Sequence, residues 1–130
     1  MTAPVVVGPS GVTASDVLDV ARRGTRVELS AAAREGLVAS RRMVEGLASS
    51  PGPVYGVSTG FGSLATRHIP GELRNQLQRS LIRSHAAGMG DPVDTEIVRA
   101  LMFLRLKTLA SGRTGVRPEV ADSFAGVLNA

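Results

Sequence analysis

The residues best suited to chemistry lie in a glycine-rich stretch, VYGVSTGFG, at residues 54–62. It contains three glycines, and its second residue is Tyr55, the one tyrosine of the chain. Glycine permits a positive φ and close approach of the backbone to another group, and loops of this kind commonly carry functional side chains. The stretch lacks the glycine and lysine spacing of a phosphate-binding loop. Its composition also fits a plain surface loop with one partly buried tyrosine.

A second candidate is His85, which falls at the end of a predicted helix. An imidazole can hydrogen-bond another imidazole or a phenol, so this side chain is suited to recognising a polar ring. Taken alone, a histidine at a helix end is more simply explained as a structural residue with satisfied hydrogen bonds. His68 is interpreted as an ordinary loop residue.

Composition limits the classes of protein to which the chain can belong. Its 130 residues are 43% hydrophobic and 20% charged, which favours a globular protein. Because it has no cysteine, it forms no disulfide or thiolate metal site. No apolar run is long enough to span a membrane and no signal peptide is evident, so we expect a cytoplasmic protein. The net charge of +4 comes from scattered arginines, which argues against nucleic-acid binding.

The elements that must position these residues are predicted to be mainly helices. Two short strands are predicted, at Val5–Val7 and residues 26–29, and we expect them to pair as a small ribbon. Helical spacing and capping patterns predict helices at about 13–23, 31–48, 70–87 and 95–111, and from Pro118 to the end of the chain. The first of these helices is predicted to begin with a capping box formed by Thr13 and Asp16 and to stop at Gly24. The helix at 95–111, with Asp94 as its cap, is apolar on most sides and is expected to be buried on most sides. A long loop joins Tyr55 to about Pro70.

Three motifs in sequence order resemble the histidine and aromatic amino acid ammonia-lyase family. They are VYGVSTGFGSLA at residues 54–65, LQRSLIRSHAAGMG at residues 77–90 and RLKTLASGRTGVRP at residues 105–118. The resemblance covers nearly the whole chain and is strongest to the bacterial histidine branch of the family. It implies that residues 1–130 are a single N-terminal segment of the ammonia-lyase fold, mainly α with a small ribbon and a glycine-rich active-site loop.

The resemblance also implies a reaction, the conversion of L-histidine to urocanate and ammonia. In this family the electrophile is a methylidene-imidazolone that forms from an internal Ala-Ser-Gly, without an external cofactor or metal. That tripeptide is expected beyond residue 130. Ala110-Ser111-Gly112 has the same letters but is predicted to be only the end of a helix, with Gly112 as its stop. The segment alone is therefore expected to be inactive.

The resemblance assigns roles to three residues. Tyr55 corresponds to the catalytic base, Gly62 to a glycine beside the substrate, and His85 to the residue that faces the substrate side chain. The complete enzyme is implied to be a homotetramer. Two alternatives stay open: a tyrosine ammonia-lyase or aminomutase, which can also carry this histidine, and a non-catalytic helical module that binds a partner chain.

Overall fold

A computed structural model of the chain describes residues 3–130, which form two compact units. One contains the described residues up to Met43 together with Pro92–Ala130, and the other is Val44–Asp91. The chain is mainly helical with one two-stranded sheet, as predicted. The strands and helices are β1 (Val5–Val7), α1 (Ala14–Arg23), β2 (Val27–Leu29), α2 (Ala31–Ala48), α3 (Arg74–His85), α4 (Thr95–Ala110) and α5 (Pro118–Asn129). Between residues 3 and 130, no helix is long and apolar enough to cross a membrane.

The first unit begins with a β–α–β arrangement. The two strands pair as predicted, and they run parallel, with Val5 opposite Val27. Parallel strands need a crossover connection, and α1 supplies it. The predicted capping box is present at the start of α1: the Asp16 N–H donates to the Thr13 hydroxyl, and the Thr13 N–H donates to the Asp16 carboxylate at 2.7 Å. Gly24 ends this helix with a φ of 63°.

Side chains from both strands and four helices form the core of the first unit. Its largest fully buried apolar residues are Phe103, Leu37, Leu106, Val7, Val20 and Val27. Arg99 and Asn129 are two polar side chains that connect elements at the edge of this core. Arg99 donates from Nε to the Val20 carbonyl and from Nη2 to the Leu128 carbonyl, both at 3.0 Å, and so joins α4 to α1 and α5.

The side-chain amide of Asn129 completes the small sheet. Its Oδ1 accepts a hydrogen bond from the Val27 N–H at 2.8 Å, and its Nδ2 donates to the Val27 carbonyl at 2.9 Å. An edge strand exposes backbone groups that must find partners, and this amide pairs with both groups of one residue. The last turn of α5 therefore closes the outer edge of β2.

Helix α4 departs from its prediction in two respects. Its buried residues are Phe103, Leu106, Leu109 and Ala110, whereas Ile97, Val98, Leu101 and Leu104 are between 41% and 61% exposed. The expectation of burial on most sides was wrong because α1, α5 and β1 cover only part of the helix. Asp94 precedes the helix as predicted, but its side chain makes no capping hydrogen bond.

Candidate functional site

The glycine-rich loop lies in the second unit and is held by its own hydrogen bonds. The Ser58 N–H donates to the Val54 carbonyl, and the Ser58 hydroxyl accepts from the Val54 N–H, both at 2.9 Å. The Thr59 hydroxyl accepts from Gly56 and donates to the carbonyl of Gly60. Both hydroxyl side chains are buried. Neither hydroxyl was predicted to have a role, although serine and threonine that bond nearby backbone are typical of turns.

Three glycines shape this loop for two different reasons. Gly56 and Gly62 have φ values of 71° and 55°, in the left-handed region that favours glycine. Gly60 is needed for space, because a Cβ there would lie 2.5 Å from the Leu64 Cβ. A Cβ built on Gly62 meets nothing within 4 Å, so the backbone at Gly62 borders open space.

Tyr55 projects from this loop with 64% of its surface exposed. Its ring packs edge-to-face against Phe61, with 6.1 Å between centroids and an interplanar angle of 82°. This contact holds the ring on one side, because aromatic pairs favour edge-to-face packing. The hydroxyl makes no hydrogen bond with residues 3–130, so within this chain it is open to a ligand.

His85 is the last residue of α3 and is exposed. Its Nδ1 lies 2.9 Å from the Leu81 carbonyl oxygen and 2.9 Å from the Ser84 hydroxyl. A carbonyl oxygen only accepts, so the bond to Leu81 belongs to the tautomer with its hydrogen on Nδ1, whereas in the other tautomer the Ser84 hydroxyl donates to Nδ1. In the tautomer with its hydrogen on Nδ1, Nε2 is an acceptor, suited to an N–H or O–H group of a ligand.

Tyr55 and Gly62 lie in the same glycine-rich loop, and His85 lies at the end of α3. Tyr55 contacts Phe61, the neighbour of Gly62. Within residues 3–130, no hydrogen bond or ring contact joins His85 to Tyr55. His68 pairs with Thr59 in a backbone bridge at the base of the loop.

Arg74 is a further residue of this unit that sequence analysis missed. Its Nη1 donates to the Ala48 carbonyl at 2.9 Å, and its Nε donates to the Ile69 carbonyl at 3.2 Å. The long loop that carries Tyr55 runs between these two carbonyls. Since every residue has a carbonyl, no sequence pattern indicates this pairing.

The tripeptide Ala110-Ser111-Gly112 lies at the end of α4. Ala110 is fully buried, and the Ser111 hydroxyl donates to the Thr108 carbonyl at 2.7 Å. Gly112 has a φ of 70°, and its N–H donates to the Leu109 carbonyl. The prediction that Gly112 stops this helix is confirmed.

Two further observations concern sites elsewhere in the described residues. No group of three or more His, Cys, Asp or Glu side chains in residues 3–130 is placed to hold a metal ion. A cavity of about 390 Å³ in the first unit is lined by Pro9, Lys107, Thr108, Ser111 and Arg113. It lies at the carbonyl end of α4, where cations are favoured by the helix dipole, and it contains none of the predicted site residues.

Comparison with known proteins identifies the family. A model described as aromatic amino acid lyase matches residues 12–130. The chain belongs to this family. It is 71% identical to a histidine ammonia-lyase from Streptomyces griseus over 97% of its own length and 24% of that protein. The chain therefore spans about a quarter of the length of the curated relatives it matches.

Solved structures confirm the fold of this lyase segment. It superposes on a tyrosine aminomutase from Streptomyces globisporus with a TM-score of 0.91 and 35% identity, covering 98% of this chain and 24% of that one. It superposes on a histidine ammonia-lyase from Trypanosoma cruzi with a TM-score of 0.85 and 28% identity, covering 98% and 24% of the two chains. The resemblance drawn from the three motifs is thereby confirmed.

Proposed function

We propose that the chain is the N-terminal part of a histidine ammonia-lyase, which converts L-histidine to urocanate and ammonia. One observation carries the choice of substrate. The chain is 71% identical to the Streptomyces griseus histidine ammonia-lyase, against 35% for the Streptomyces globisporus tyrosine aminomutase. We also propose a cytoplasmic location, which the lack of cysteine fits. The complete protein is proposed to be a homotetramer.

Tyr55 is proposed as the base that takes the weakly acidic β-proton. Elimination breaks the bond between the α-carbon and nitrogen and transfers a proton from the β-carbon to the base. General-base catalysis requires the hydroxyl to lie within hydrogen-bond reach of the proton that it takes. An exposed hydroxyl on a ring supported by Phe61 suits this task. Open space at Gly62 leaves room for the substrate beside the loop.

His85 is proposed to recognise the substrate side chain. With Nδ1 bonded to the Leu81 carbonyl, Nε2 accepts a hydrogen bond from the N–H of a substrate imidazole. A tyrosine phenol would also donate to it, whereas a phenylalanine ring has no such donor. His85 thus supports histidine or tyrosine as substrate, and the tyrosine aminomutase structure keeps the latter as the second candidate.

The electrophile, a methylidene-imidazolone, is proposed to form outside residues 1–130. It makes the substrate amine a leaving group. Ala110-Ser111-Gly112 does not supply it, because Ser111 and Gly112 are bonded into the end of α4. Within this segment, the tasks are therefore to bind and orient the substrate and to accept its proton.

The test replaces the matching quarter of the Streptomyces griseus enzyme with this chain. We expect the full-length chimera to form urocanate, followed by absorbance, and Tyr55→Phe to lower turnover by at least ~10²-fold, the usual scale for a general base. Preference for L-tyrosine over L-histidine would favour the second candidate. Near-normal turnover of Tyr55→Phe would exclude Tyr55 as the base.

The isolated 130-residue chain is the matched control. We expect it to release no urocanate, because its tyrosine has no electrophile to act with. Urocanate formation by the chain alone, abolished by Ser111→Ala, would show that the tripeptide at the end of α4 cyclises after all.

A further inference from the structure

We propose that Arg74 is a positioning residue that closes the Tyr55 loop against the start of α3. Its guanidinium donates to the carbonyls of Ala48 and Ile69, which lie at the two ends of the segment 49–69. That segment carries Tyr55 and Gly62. The inference rests on the proposed function for its catalytic meaning, but the closure of the loop can be tested without it.

The position of the Ala48 carbonyl explains why a positively charged side chain binds it. Ala48 ends α2, and the last four carbonyls of a helix lack partners within the helix. A guanidinium donor makes a charge-assisted bond to such a carbonyl, and a positive charge is favoured at this end of the helix dipole. The planar fork of Arg74 reaches a second acceptor at the same time, which a lysine ammonium on one flexible stem does less well.

A continuous set of hydrogen bonds leads from Arg74 towards Tyr55. The carbonyl of Ile69 accepts from Arg74, and the N–H of Ile69 donates to the Ser58 carbonyl at 2.9 Å. Ser58 in turn bonds to Val54, the residue before Tyr55, through both its N–H and its hydroxyl. Each step is short, and the Ser58 side chain is fully buried.

The two hydrogen bonds of Arg74 matter because of its position in the chain. Arg74 is the first residue of α3, and His85 is the last. One helix therefore holds the ends of the Tyr55 loop and also carries the proposed substrate-recognising histidine. Removing the two hydrogen bonds of Arg74 is expected to loosen the loop relative to α3 while leaving the helix itself formed.

The first experiment measures hydrogen exchange on the 130-residue chain with Arg74→Ala, Arg74→Lys and the control Arg42→Ala. Arg42 is exposed on α2 and bonds to no residue among 3–130. We expect Arg74→Ala to speed exchange of the Val54, Ser58 and Ile69 amides about tenfold or more. We expect Arg74→Lys to show a smaller effect and Arg42→Ala none. Equal acceleration in α1, or no acceleration in the loop, would overturn the proposal.

The second experiment measures turnover in the full-length chimera. We expect Arg74→Ala to lower kcat about tenfold or more with a smaller change in KM, because misplacement of a catalytic group costs rate rather than binding. Arg74→Lys should restore part of kcat. Normal kcat for Arg74→Ala, in a chimera that Tyr55→Phe inactivates, would overturn the positioning role and leave the proposed function standing. If Tyr55→Phe is harmless, Tyr55 is not the base, while the exchange data still decide whether Arg74 closes the loop.

Discussion

Gly112 shows at the scale of one residue how closely two parts of the first unit approach. Its φ is 70°, and a Cβ added there would lie 2.9 Å from the Cα of Gly36 on α2. The stop signal of a glycine after a helix is local, so Gly112 was predictable. Its contact with Gly36 joins positions far apart in sequence, and no local pattern indicates it.

We expect Gly112→Ala to lower the free energy of unfolding by about 2–4 kcal/mol, from left-handed backbone strain and overpacking against Gly36. Gly46→Ala on α2 is the control, because a Cβ there meets nothing within 4 Å. That change should stabilise the chain by up to about 1 kcal/mol, since alanine favours a helix. Urea denaturation at low micromolar concentration measures both. Equal stability of the two variants would contradict the packing described at Gly112.

At the scale of elements, local signals were predictable and long-range ones were not. The start of α1 follows from the spacing of Thr13 and Asp16, and its end follows from Gly24. The same reasoning predicted a capping hydrogen bond at Asp94, but that side chain bonds no backbone N–H at the start of α4. The contacts of Arg74 and Arg99 were beyond prediction, because their acceptors are carbonyls of distant residues.

The capping box of α1 should make the stability of the first unit depend on pH. Hydrogen bonds from the Thr13 N–H and then the Thr13 hydroxyl lower the pKa of Asp16. A lowered pKa means that the folded state favours the carboxylate. Its contribution is therefore present above the unfolded pKa of about 3.9 and is lost as pH falls through the lower folded pKa.

We expect Asp16→Asn to lower Tm by about 2–4 °C at pH 7, the scale of one lost cap, and by less at pH 2–3. Asp91→Asn, at an exposed position without a hydrogen-bond partner among residues 3–130, should leave Tm unchanged. Thermal unfolding followed by circular dichroism decides this. A difference between wild type and Asp16→Asn that does not shrink in acid would show that the carboxylate charge is not responsible.

At the scale of the whole molecule, one apolar stripe is left uncovered. Ile97, Leu101 and Leu104 lie at helical spacing on α4 and are 49%, 61% and 43% exposed. Contiguous exposed apolar surface marks contacts with partners or sites of aggregation. The apolar character of α4 was predictable from its residues, but the face that stays exposed was not, because that depends on where α1 and α5 pack.

We expect the 130-residue chain to self-associate at tens of micromolar, which light scattering measures. Ile97→Glu combined with Leu101→Glu should shift it towards monomer, because charges on the stripe oppose burial. Met89→Glu is the control, since Met89 is 97% exposed and lies outside α4. A stable monomer of the unchanged chain would contradict this prediction and favour the non-catalytic module.

The closing of β2 by Asn129 has a consequence for the order of folding. The first unit combines residues up to Met43 with Pro92–Ala130, whereas the second is the continuous segment Val44–Asp91. During synthesis from the N-terminus, about 100 residues separate Val27 from Asn129, so the hydrogen bonds between them form only after the end of α5 has been made. The Tyr55 loop and α3 lie in the continuous segment Val44–Asp91, and the hydrogen bonds of Arg74 to Ile69 and Ala48 join residues much closer in sequence. Contacts as distant in sequence as that between Val27 and Asn129 are slow to close, and we expect the first unit to set the folding rate of the chain.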